Sequence, residues 1–244
     1  MVWSKWDLGW PWMGLGAAIV LLAVLFLTDT MRSHRAGSRW WDMVWLSWLV
    51  VPIYMLHQFE EYVYDVLGRT NLIPDTVCVA QGYAPYPACP LPTAHYAVVN
   101  IALVWVAAPL AAWLSWRNPI IGLTFYGFVI LNGALHVVTA LTGGNEALPG
   151  VVTGVLLFIP AFCWVVYASL KSGALTAKGL AISLAGGAIA HILLGLTYLL
   201  FKAGVVAEPG MLALDIVTAG LPILIAGVGS RFVRARATEP PRRI

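Results

Sequence analysis

Residues 42–67 read DMVWLSWLVVPIYMLHQFEEYVYDVL, an apolar run long enough to cross a bilayer that nevertheless carries His57-Gln58-Phe59-Glu60-Glu61 in its second half. A hydrocarbon core of about 30 Å takes roughly 20 residues of helix. On such a helix the imidazole and the two carboxylates, three and four residues apart, share one face. An ionised acid at a helix centre costs about 2.5 to 3.5 kcal/mol on insertion scales, so two without partners cost roughly 5 to 7. A divalent cation held by carboxylate oxygen and imidazole nitrogen binds with of order 10 kcal/mol, enough to offset that cost.

The rest of the chain agrees with a membrane setting. Of 244 residues, 60% are hydrophobic and 10% charged, with twelve tryptophans, and the mean hydropathy is +0.82, beyond the range of soluble domains. Apolar runs of spanning length predict seven helices, at 11–29, 42–67, 94–116, 119–141, 148–170, 180–201 and 209–233. Barrel strands would alternate apolar and polar positions, whereas these runs are continuously apolar and rich in Leu, Ala, Val and Gly. The expectation is an all-α polytopic membrane bundle forming a single domain over 1–244. Arg32, His34, Arg35 and Arg39 follow the first run with no small-residue cleavage site, so that run is expected to remain as a helix.

Basic residues in short loops favour the cytoplasmic side. They follow the first helix (Arg32, Arg35, Arg39), the third (Arg117), the fifth (Lys171, Lys178) and the seventh (Arg231, Arg234, Arg236, Arg242, Arg243). The other connections hold chiefly Lys5, Arg69 and Lys202. This alternation predicts an external amino terminus and a cytoplasmic carboxyl terminus. A net charge of +3 is ordinary for a membrane anchor and gives no reason to expect a nucleic-acid partner. Cys78 and Cys89 fall in the longest connection, 68–93, on the predicted outer side. That is where disulfides persist, so a bridge closing this proline-rich loop is expected, while Cys163 within the fifth helix reads as a packing residue.

On this topology the intramembrane polar groups gather in one layer of the outer half. The second helix brings His57, Glu60, Glu61 and Asp65; the fourth brings Asn132 and His136, four apart on one face; the sixth brings His191 and the seventh Asp215, while His95 begins the third. Pro52 removes a backbone hydrogen bond five residues before His57 and favours a bend there. The expected metal ligands are His57, Glu60, Glu61, His136 and His191, with Glu60, Glu61, Asn132 and Asp215 as catalytic groups. His95 at a membrane boundary, Asp215 beside Thr218, and His191 among leucines also admit plain structural roles.

At these residues the chain resembles the bacterial membrane proteins named for their His-x-x-Glu-Glu motif, the HXXEE domain proteins. Beyond His57-Gln58-Phe59-Glu60-Glu61, their further histidine and Tyr-x-Pro-Gly element look like His136 and Ala147-Leu148-Pro149-Gly150, with alanine in place of the tyrosine. The resemblance runs from about His57 to Tyr167. It implies a bacterial plasma-membrane protein and strengthens the site, but implies no reaction, because the activity of that family is not established.

The leading expectation is a membrane-embedded enzyme using one or two divalent ions, zinc or iron, on a lipid or other apolar substrate. Zinc would serve hydrolysis. Iron would serve oxygen chemistry, but membrane di-iron enzymes usually carry many more than the five histidines present and draw electrons from the cytoplasmic side. Hydrolysis is therefore favoured. A metal-free isomerase shuttling protons between carbons of a sterol or isoprenoid is the second enzyme reading. A proton-coupled transporter is the third; the absence of internal repeats and an apolar cytoplasmic half disfavour it. A rhodopsin is disfavoured because residues 209–233 contain no lysine.

Overall fold

The computed structural model describes residues 3–233, apart from 66, 70, 71 and 144–148. Arg234, Arg236, Arg242 and Arg243 of the basic tail, and Ala147 and Leu148 of the Pro-Gly element, lie outside the described residues. All regular elements among the described residues are helical. They are α1 (Lys5–Leu27), α2 (Met43–Tyr62), α3 (Leu72–Ala80), α4 (Thr93–Leu114), α5 (Pro119–Thr142), α6 (Val151–Lys171), α7 (Ala177–Lys202) and α8 (Glu208–Ser230). Six of them are long and apolar enough to cross a membrane. The remaining long helix, α2, is not apolar enough by itself, because it is the one that carries the motif.

α2 compensates by lying inside the bundle: 16 of its 20 residues are buried. Its start is fixed by Asp42, whose carboxylate accepts from the backbone N–H groups of Val44 (3.0 Å) and Trp45 (3.2 Å) at the helix N-terminus. The same carboxylate accepts from Ser33 and His34 backbone N–H groups at 2.7 and 3.0 Å. One side chain thus caps α2 and pins the connection from α1. Trp45 Nε1 donates to the carbonyl of Leu25 (2.9 Å), locking the end of α1 onto the first turn of α2.

α5, α7 and α8 pack with their backbones nearly touching. A Cβ on Gly127 would sit 1.8 Å from the Leu184 carbonyl oxygen, so only glycine permits this approach. The Thr124 hydroxyl donates to the Ser183 carbonyl (2.9 Å), and the Phe128 and His191 rings meet at 4.6 Å. The face of α5 through 124, 128, 132 and 136 therefore runs along the face of α7 through 183, 187 and 191.

Two expectations, the end of α2 with Asp65 and the packing of Cys163, are corrected, and the expected disulfide is present. α2 ends at Tyr62 rather than at 67, and Asp65 belongs to the following turn: it accepts from the backbone N–H groups of Leu67 (2.9 Å) and Arg69 (2.8 Å) and pairs with the Arg69 guanidinium at 2.6 Å. Burial pushes the Asp65 carboxyl up, yet these donors outweigh it and hold it below the ordinary aspartate range. Connection 68–93 contains α3, and Cys78 and Cys89 are joined in a disulfide. The bridge packs with Leu91 onto Met211 of α8. Cys163 is exposed on the outer face of α6 rather than packed.

Candidate metal centre

The motif divides its labour. Glu61 faces inward between two imidazoles: its Oε1 lies 3.3 Å from His57 Nε2 and 3.0 Å from His136 Nε2. One ligand atom from each of the three residues can be chosen so that all lie within 4.8 Å of one another. All three residues are buried. The cluster could hold a metal ion. With metal–ligand bonds of about 2.0 to 2.2 Å, a tetrahedral site has edges of about 3.3 to 3.6 Å, close to both measured separations.

Glu60 points elsewhere. Its Oε1 accepts from the Val152 backbone N–H (2.9 Å) and its Oε2 from the Thr153 backbone N–H (2.8 Å) and the Thr153 hydroxyl. These are the free N–H groups of the first turn of α6, where an anion is also favoured by the helix dipole. Glu60 is therefore stabilised as a carboxylate without any ion, and of the two acids only Glu61 depends on the imidazoles.

The proton positions follow from this arrangement. The single hydroxyl proton of Thr153 goes to Glu60, so the Thr153 oxygen accepts from His57 Nδ1, 2.6 Å away. His57 Nε2 faces the Glu61 carboxylate at 3.3 Å. That nitrogen is fully buried and makes no hydrogen bond. A buried ring nitrogen without a hydrogen bond beside a buried carboxylate is costly in a dry interior, and a cation between them, a metal ion or a proton, offsets that cost. The chain Glu60, Thr153, His57 is the outer support that orients a metal-binding imidazole and raises its basicity.

Gly150 closes the site on the other side. It adopts φ +81°, and a Cβ there would lie 2.6 Å from His136 Cε1 and 2.7 Å from His57 Cε1. Both the left-handed backbone and the contact with two rings require glycine. Phe158 stacks on His57 with centroids 4.3 Å apart. It ends a π-helical stretch, Gly154–Phe158, that follows Thr153 directly; such bulges are frequent at functional sites.

The other expected site residues are distributed as follows. Asn132 lies one turn from His136 on α5, and His191 lies across from it on α7. Asn132 Oδ1 and His191 Nδ1 are buried without hydrogen bonds, so both remain beside the cluster with free polar atoms. His95 and Asp215 form a different group. His95 Nδ1 is 2.7 Å from Asp215 Oδ2, and its Nε2 is 2.6 Å from the Tyr198 hydroxyl. His95 and Asp215 are buried. Thr153 and Phe158 were not singled out by sequence reasoning, and Gly150 entered only through the Pro-Gly element of the resemblance; that pair was the available signal for both.

A buried His₂Glu cluster in a bundle of membrane-spanning length defines a class: a polytopic helical membrane protein with a prospective metal centre. Residues 48–165 match the family described as "Protein of unknown function with HXXEE motif". The matched segment contains His57, Glu60, Glu61, His136, Gly150 and Thr153, whereas His191 and Asp215 lie beyond it. No curated protein and no solved structure matches the chain.

Proposed function

We propose that this protein is a membrane-embedded hydrolase of the bacterial plasma membrane that binds one divalent cation, zinc, at His57, Glu61 and His136 and acts on a lipid or other apolar molecule. The observation that carries the reading is the buried Nε2 of His57, which makes no hydrogen bond and lies 3.3 Å from the Glu61 carboxylate, with His136 Nε2 3.0 Å from the same oxygen. Three protein ligands with a fourth position open is the pattern of catalytic rather than structural zinc. Zinc, when bound, supplies Lewis acidity that makes water nucleophilic near neutral pH.

The chain's own residues do the rest. Glu60 and Thr153 hold the His57 proton on Nδ1 and so keep Nε2 available. Phe158 and Gly150 wall the imidazoles and exclude water. Asn132 and His191 offer unpaired polar atoms next to the ligands and are suited to orienting a polar group of the substrate. Asp215 is tied to His95 and has no part in this reading.

Elemental analysis of the purified protein tests it. About one zinc per chain is expected, lost in His136→Ala with the fold retained. Protein that is folded and active without any ion would instead favour the metal-free acid–base reading, and stoichiometric iron would favour oxygen chemistry.

A further inference from the structure

His95, Asp215 and Tyr198 form a chain of polar groups that the metal centre does not use. Asp215 Oδ2 lies 2.7 Å from His95 Nδ1, and His95 Nε2 lies 2.6 Å from the Tyr198 hydroxyl. The three come from α8, α4 and α7, so only the fold brings them together. His95 is 1% exposed and Asp215 0%. The remaining carboxylate oxygen, Asp215 Oδ1, is buried without a hydrogen bond among the described residues.

Two features go beyond what a fixed link between helices requires. The first is the unpartnered oxygen. A buried carboxylate with one oxygen unsatisfied is costly, and a positive charge on the adjoining imidazole offsets that cost. The second is the phenol, because a hydroxyl both donates and accepts. When His95 carries one proton, on Nδ1 toward Asp215, the Tyr198 hydroxyl donates to Nε2. When His95 carries two, Nε2 donates to the Tyr198 oxygen. The imidazole therefore makes both hydrogen bonds in either charge state with no heavy atom displaced. A carbonyl at that position only accepts and a lysine only donates, so neither serves both states.

The chain stands close to one end of the bundle. His95 is the third residue of α4 and Asp215 the eighth of α8, no more than about 10 Å of helix from the helix starts. Tyr198, and Met211 one turn before Asp215, pack against the Cys78–Cys89 bridge and Leu91. A disulfide marks the side that faces an oxidising compartment. The titratable groups around the chain come from every neighbouring element. Tyr96 of α4 has its ring 5.3 Å from that of His95. Glu61 of α2 and Tyr86 of the bridged connection lie within electrostatic range of the Tyr198 hydroxyl, and Tyr62 of α2 within range of both Glu61 and Tyr198. Farther out, Asp7 and Asp75 lie within range of Tyr86. These groups are all phenols or carboxyls, so none of them opposes a positive charge on the imidazole.

We propose that Asp215, His95 and Tyr198 form a proton-binding site, separate from the metal centre, that exchanges one proton with water on the side of the disulfide-bridged connection. The imidazole is the acceptor. Uptake turns a buried carboxylate beside a neutral ring into an ion pair of no net charge, the Tyr198 hydroxyl reverses its hydrogen bond, and release returns the proton to water. The site rests on this cluster alone and needs no ion at His57, Glu61 and His136.

Nuclear magnetic resonance of the full-length protein in lipid nanodiscs, with histidine rings isotopically labelled at nitrogen, tests this from about pH 5 to 8, the range in which histidine changes charge. The signals of His95 are those lost in His95→Gln. They are expected to pass between the two-proton and one-proton patterns within that range, with Nδ1 protonated throughout. Tyr198→Phe should lower the midpoint by about one pH unit, because the bond lost from the charged ring is the stronger of the two, with metal content unchanged. His95 held in one protonation state over the whole range would overturn the proposal and leave a fixed link between helices. A Tyr198→Phe titration that coincides with that of the unaltered protein would overturn it too. The titration of the unaltered protein decides the matter even if Tyr198→Phe does not fold.

Discussion

Two buried histidine–carboxylate clusters occupy the same bundle, and the difference between them lies in what each leaves unpaired. At His95 both ring nitrogens are engaged, Nδ1 with Asp215 at 2.7 Å and Nε2 with Tyr198 at 2.6 Å, and the atom left without a hydrogen bond is a carboxylate oxygen, Asp215 Oδ1. At His57 one nitrogen is engaged by Thr153 while the other faces a carboxylate with no hydrogen bond. The first arrangement ties α4, α7 and α8 together below the disulfide-bridged connection. The second leaves a ring nitrogen and a carboxylate oxygen converging on one point, which is what a cation requires. Residue type alone does not separate them; what each ring nitrogen faces does.

The comparison is most severely tested by removing one member of each cluster. Glu61→Ala should abolish stoichiometric metal binding, as should His136→Ala. His95→Ala should leave metal content at the level of the unaltered protein yet lower stability by about 3 to 5 kcal/mol, since it strands a buried Asp215 charge; denaturant unfolding in detergent reads this. Loss of metal on altering His95 would merge the two clusters into one site.

Next in size is Gly150→Ala. The left-handed backbone alone costs about 1 to 3 kcal/mol in a residue with a Cβ, and contact at 2.6 to 2.7 Å with two imidazoles should displace both rings and weaken metal binding sharply. Unchanged affinity in that variant would mean the rings are not held where the structure puts them. A smaller effect is expected from Thr153→Val, which keeps the shape but removes the acceptor for His57 Nδ1. Loss of such an outer contact typically weakens metal affinity 10- to 100-fold, measurable by competition with a chelator. The smallest test concerns the bridged connection: Cys78 and Cys89 should react with a maleimide only after reduction.

Much of this was legible in the chain. The continuous apolar runs gave the helices because backbone groups in hydrocarbon have to be satisfied within their own segment. Spacing put His57 and Glu61 on one face, and the depth of His136 matched them. What spacing could not resolve was the division between adjacent glutamates. On a helix Glu60 and Glu61 differ by about 100° in direction, and only the position of α6 decides that one meets backbone N–H groups while the other meets imidazoles. The same holds for Asp215. Its depth agreed with the site, but depth is a single coordinate, and its rotation about α8 turns it to His95 instead. Asp65 was read as part of α2 because the apolar run continues past Tyr62, where the chain in fact turns and Asp65 collects the local donors.

Membrane proteins place ionisable groups in their interior only where something balances them. In this chain Glu60 is balanced by a helix terminus, Asp215 by a histidine that also holds a tyrosine, and Glu61 by two histidines arranged for an ion.

The most direct measurement is the zinc content of the purified protein, by mass spectrometry of the elements, beside the folded Glu61→Gln and His95→Gln variants. About one ion per chain, lost with Glu61→Gln and kept with His95→Gln, is the predicted result. Equal metal content in all three proteins, or none in the unaltered chain after supply of zinc, would contradict the account.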